Sequence, residues 1–142
     1  MFSELEEQRV VRAIANAERG NRGEVQVRME KRCPGEPLVR AKALYKLAGL
    51  EGTEDDTGVL LYIASESRVS AVYCGAGVHT RSEASFWQGV SDRVAAGYRT
   101  GQPVDGICDA LGHIGDLLRT LLPGRDAAGN ERPDTLHTEE TA

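Results

Sequence analysis

Residues 54–64 read EDDTGVLLYIA, and the fold turns on how they are read. Two carboxylates, Asp55 and Asp56, and then Gly58 stand directly before an unbroken apolar run. A run that does not alternate polar with apolar residues has both faces covered, so 59–64 reads as the central strand of a sheet. The residues before it have two readings. Asp-Asp-Thr-Gly is good turn chemistry, because Asp caps its own backbone and Gly takes positive φ. That turn reading is the stronger on the residues alone; Asp55 and Asp56 are also candidate metal ligands, although calcium takes roughly six to eight oxygens and two adjacent side chains supply a minority.

Downstream, SESR is a hairpin-sized connection and RVSAVYC returns as an antiparallel strand. Pairing 59–64 with 68–73 sets Val59 opposite Tyr73. The loop of Asp55, Asp56 and Gly58 then lies beside the loop CGAGVH, residues 74–79, at one end of the sheet. A cleft there can hold a cation on Asp55 and Asp56, or an anion on the backbone amides of Gly75 and Gly77. Gly-Ala-Gly lacks the spacing of a nucleotide-binding loop and reads first as a turn. Cys74 and His79 form a conceivable nucleophile pair, but Cys74 closes a strand, where free cysteine is ordinarily packing. His113, His137 and Trp87 carry no ligand signature; Trp87 beside Phe86 reads as core.

Upstream, Ser3 and Glu6 make an S-x-x-E capping box for a first helix striped by Val10, Val11, Ile14 and Ala17, with Gly20 as its stop. EVQVRME alternates, with Val25, Val27 and Met29 on one face, and reads as a half-exposed strand near a sheet edge. Pro37 opens a second helix whose Leu38, Ala41, Leu44, Tyr45 and Ala48 face inward, and Gly49 ends it. After the hairpin, Ser82 is the candidate N-cap of a third helix striped by Phe86, Val90 and Val94. A fourth carries Val104, Ile107, Leu111, Ile114, Leu118 and Leu121 at three- and four-residue spacing, and Pro123 stops it. The order α-β-α-β-β-α-α implies an α/β fold, a three-layer α/β/α sandwich. Its small mixed sheet holds a β-α-β crossover and an antiparallel hairpin, with helices on both faces. One domain over 1–123 is followed by a polar, mobile tail over 124–142.

A chain of 142 residues, 40% hydrophobic and 27% charged, is ordinary for one globular domain. Its net charge of −5 argues against nucleic acid as a partner, since phosphate contacts need clustered Lys and Arg. The N-terminus lacks the pattern of a signal peptide. The longest uninterrupted apolar run falls far short of the roughly 20 residues of a membrane span. Three widely spaced cysteines suggest neither a disulfide framework nor a zinc site. A cytoplasmic protein without membrane contact is the expectation.

With its segments placed, the chain resembles the TPM domain family, sometimes called TPM phosphatase, from about residue 7 to 134. The likeness rests on RGEVQVRME, RAKALYKLAGLEGTEDDTGVLLYIA, FWQGV, GYRTGQPVDGICDALGHIGDLL, a closing LLP and the late GNERPD. Their order and spacing are more specific than any one piece. The resemblance implies an α/β/α sandwich and the soluble branch of the family, without signal peptide or membrane anchor. It also implies three roles: weak acid phosphatase activity, calcium binding near the acidic loop, or accessory work in photosystem maintenance or receptor function. Asp56 and Gly58 match the family's turn into the central strand, with Thr57 where Asn is usual. Cys74-Gly75 stands where soluble relatives tend to read Gly-Asp, so one expected carboxylate is absent, whereas Gly77 matches. Asn130, Glu131, Pro133 and Asp134 resemble the family's NELPDE tail, with Arg132 in place of Leu.

Two functional expectations follow. The first is a non-catalytic binding or accessory domain, with a protein partner or a small phosphorylated ligand and a Ca²⁺ or Mg²⁺ ion at the acidic loop. The alternative is a weak metal-assisted phosphatase acting on phosphate monoesters, its cation on Asp55 and Asp56 polarising the phosphoryl oxygen. No nucleophile or general acid is identifiable for it.

Overall fold

The structure is a computed structural model that describes residues 2–52, 54–124 and 136–138. Ser3 opens α1, Glu4–Glu18, with both halves of the capping box formed: the Glu6 amide donates to Ser3 Oγ and the Ser3 amide to Glu6 Oε1. β1, Glu24–Glu30, leads into α2, Pro37–Leu47, which starts on Pro37. Two short 3-10 turns, Leu50–Gly52 and Glu54–Asp56, precede β2, Gly58–Ala64. β3, Val69–Cys74, returns antiparallel and runs into a one-turn α3, Ala76–His79. α4, Ala84–Arg99, and α5, Pro103–Leu121, follow, and β4 is Leu136–Thr138.

The sheet order is β3-β2-β1-β4, with β1 parallel to both β2 and β4. Every residue of β2 is buried, as the unbroken apolar run requires. Val59, Leu61 and Ile63 face the larger core under α1, α4 and α5; Leu60, Tyr62 and Ala64 face the smaller one under α2. The three-layer sandwich is therefore present.

Four local expectations need correction. β1 is an interior strand, buried along nearly its whole length. Its alternating polar face is covered because its charge is matched there: the carboxylate of Glu30 receives Arg40 Nε at 2.9 Å and Nη2 at 3.0 Å, and the Tyr62 hydroxyl. The hairpin register is one residue further on, with Val59 opposite Cys74 and Leu60 opposite Tyr73. The connection takes in Arg68, whose φ of 57° places it in the turn rather than in the strand. A slip of one residue exchanges the two faces of a strand, and so Val72 and Cys74 reach the larger core while Val69, Ala71 and Tyr73 reach the smaller.

On α2, Leu38 lies half exposed while Ala41, Leu44 and Tyr45 are buried. Ser82 does not cap α4. Its hydroxyl donates to the Val78 carbonyl at 2.9 Å and accepts from Trp87 Nε1 at 2.9 Å. Near the C-terminus, 136–138 join the sheet beside β1. The family-like tail residues Asn130, Glu131, Arg132, Pro133 and Asp134 lie outside the described residues.

Candidate functional site

The acidic loop is built backwards from β2. For Gly58 to enter the sheet beside β1, the chain turns sharply after α2, and Asp55 and Asp56 both adopt left-handed backbone, with φ of 60° and 51°. For a residue with a Cβ this costs about 1–2 kcal/mol each, least for Asp and Asn. Bonds within the protein hold the conformation. Asp56 Oδ1 accepts the Tyr45 hydroxyl at 2.7 Å and Oδ2 accepts the Ala76 amide at 3.0 Å, tying α2, the loop and α3 together. Thr57 Oγ1 donates to the Arg22 carbonyl at 3.0 Å, and the Glu24 amide donates to the Thr57 carbonyl at 3.1 Å. Asp55 meets Arg22 across 3.4 Å with both side chains substantially exposed, a pair that contributes little.

The two loops do come together. Gly75 packs so closely that a Cβ there would overlap the Asp56 carbonyl, and one at Gly77 would overlap that of Asp55. A Cβ on Gly58 would stand 2.6 Å from the Tyr45 hydroxyl. Gly75 and Gly77 are thus required by contact with the acidic loop, and Gly58 by contact with Tyr45. The Ala76 amide, at the start of the one-turn α3, points at Asp56 and so already has its anion.

Asp55, Asp56, Gly75 and Gly77 are thus one constellation. What the sequence did not show was Tyr45, taken only as an inward-facing helix residue. Its ring is buried against Tyr73, centroids 4.9 Å apart, and a buried tyrosine hydroxyl needs a polar partner. That need was a usable signal, but nothing in the spacing singled out Asp56 as the answer. Burial, followed by the hydrogen bond to Asp56, pushes the Tyr45 phenol well above its ordinary range, so it stays protonated and donates.

The Cys74 thiol is pushed up to about 12 by burial, the reverse of what activates a nucleophile. His79 is exposed, and His113 stacks on Phe86 with centroids 4.4 Å apart. Phe86 and Trp87 are half-buried flanks of the larger core.

A divalent cation fits this donor set poorly. Among the described residues no three His, Cys, Asp or Glu side chains converge. Both Asp56 oxygens are already hydrogen-bonded, and the position where relatives tend to carry the further Asp is Gly75, with no room for a side chain in this backbone. Calcium takes roughly six to eight oxygens, and among the described residues the acidic side chains gathered here supply a minority of them.

Fold and loop together define a small α/β/α domain with a latched acidic turn at the head of its central strand. The chain belongs to the TPM domain family, whose model matches residues 1–117. Among solved structures it is similar to the BA42 protein of the psychrophilic bacterium Bizionia argentinensis, at 24% identity and a TM-score of 0.88, covering 98% of this chain and 96% of that one. It also resembles the N-terminal domain of a P. gingivalis protein, at 17% identity and a TM-score of 0.70, over 85% of this chain and 78% of that one. The N-terminal domain of cg2496 from Corynebacterium glutamicum matches at 10% identity and a TM-score of 0.65, over 83% and 74%. At these identities the likeness is one of fold. No curated protein matches the chain. No helix among the described residues is long and apolar enough to cross a membrane.

Proposed function

We propose that this TPM domain is a non-catalytic binding or accessory domain whose acidic loop is a structural latch. One observation carries the reading: each oxygen of Asp56 accepts a hydrogen bond from within the protein, Oδ1 from the Tyr45 hydroxyl and Oδ2 from the Ala76 amide. The carboxylate best placed for chemistry thereby joins α2 to α3 instead of facing a substrate. Asp55 remains the exposed carboxylate a passing cation meets, and one such group binds Ca²⁺ or Mg²⁺ only weakly. Cys74 adds support, since its buried thiol stays protonated at neutral pH.

The test is turnover of a phosphate monoester with Ca²⁺ or Mg²⁺ present. The outcome this reading requires is no turnover above buffer, in the parent protein and in Asp56→Asn alike. Metal-dependent turnover that disappears in a folded Asp56→Asn variant would establish the phosphatase alternative instead.

A further inference from the structure

The other end of the sheet carries a second feature. Where β2 ends and the hairpin turns, an open cavity of about 640 Å³ lies between the start of β3 and the last turns of α4. That volume is within the range of small-ligand sites, roughly 300–1,000 Å³. Its walls are apolar where they meet the larger core, at Ile63 and Val94, and polar at the mouth, where Arg68 and Arg99 stand exposed. Neither arginine has a carboxylate partner among the described residues, a state they share with Arg12, Arg19 and Arg81.

Tyr98 also lines the cavity, and its hydroxyl is out of contact with solvent and without a hydrogen-bond partner among the described residues. Arginine is the side chain suited to a carboxylate or phosphate, because its planar fork offers paired donors. The arginines also outweigh the partial negative charge of the α4 C-terminus, about half an elementary charge, whose carbonyls at Ala96 and Gly97 already accept bonds from Thr100 and Gln102.

We infer that this cavity is a binding site for a small organic anion, an apolar body seated on Ile63, Val94 and the Tyr98 ring with its carboxylate or phosphate at Arg68 and Arg99. The site is separate from the acidic loop, at the opposite end of β2, and stands whether or not the latch reading holds.

The experiment is an NMR titration of the full chain with phenyl phosphate and with benzoate, and with phenol as the neutral control. The site requires saturable shifts at 63–70 and 94–99 with at least one of the two anions, and the better binder identifies the headgroup. Arg68→Gln and Arg99→Gln should each weaken binding about tenfold, the loss of one charge-assisted contact. Tyr98→Phe, which keeps the lining ring and removes only a hydroxyl that solvent does not reach, should leave the affinity within about twofold of the parent. No saturable shift with either anion at ~10 mM, an affinity too weak for a built site, overturns the proposal. So do equal shifts with phenol, unchanged affinity in the double arginine variant, or shifts confined to 55–58 and 74–78.

Discussion

At the scale of single residues, the molecule spends its charges on holding itself together. Glu30 is fully buried, and burial alone would raise its carboxyl; the bonds from Arg40 and Tyr62 outweigh that and hold its pKa below the ordinary value. Because the folded value lies below the unfolded one, the group adds stability above its unfolded pKa, and that share is lost as pH falls through the folded pKa. Chemical denaturation across the acidic range should show this decline in the parent protein and a flatter profile in Glu30→Gln. Arg40→Met should cost about 3–5 kcal/mol in the same measurement at neutral pH, since it strands a buried carboxylate. None of this was legible in EVQVRME. Strict alternation describes a strand with one wet face equally well, and only the partner 10 residues on, Arg40 in α2, shows that the face is dry.

Among elements, the arrangement follows from patterns the chain displays openly. The capping box at Ser3, the unbroken run of β2 and the three-four spacing of α5 all formed where the sequence put them. What was hidden depends on encounters between distant segments. The hairpin register hung on Arg68 taking a left-handed turn position, and nothing about an arginine announces that. The strand at 136–138 draws its pairing from β1 rather than from its own composition.

The closeness of α4 to α5 was likewise visible only as glycines in a helical pattern. A Cβ on Gly97 would lie 2.7 Å from the Gly106 Cα, so the two helices touch backbone to backbone. Gly97→Ala should therefore destabilise the fold by about 1–3 kcal/mol through overpacking. Gly112→Ala, on the same α5 with open space around it, should stabilise by about 0.5–1 kcal/mol. Thermal melting of the two variants checks the contrast, and equal shifts would contradict the close crossing.

Across the whole molecule, the two ends of the sheet have opposite character, acidic at one and basic at the other. At one, Asp55 and Asp56 meet Gly75 and Gly77, and the constellation the sequence offered as a site is real as a juxtaposition. Its meaning was not legible, because a carboxylate bound to a tyrosine and an amide reads in sequence like a carboxylate awaiting a metal. At the other end, Arg68 and Arg99 come together only through the fold, 31 residues apart in the chain. The decisive measurement concerns the first end: a titration of the metal-free protein with Ca²⁺ and then Mg²⁺, followed by residue-resolved NMR shifts, with Asp56→Asn alongside. A latch predicts no saturable shift at 55–58 or 74–78 below ~1 mM metal, the weak regime of a site short of oxygen ligands. Saturable shifts in the micromolar range, lost in the folded Asp56→Asn variant, would show that Asp56 serves a cation and contradict the account.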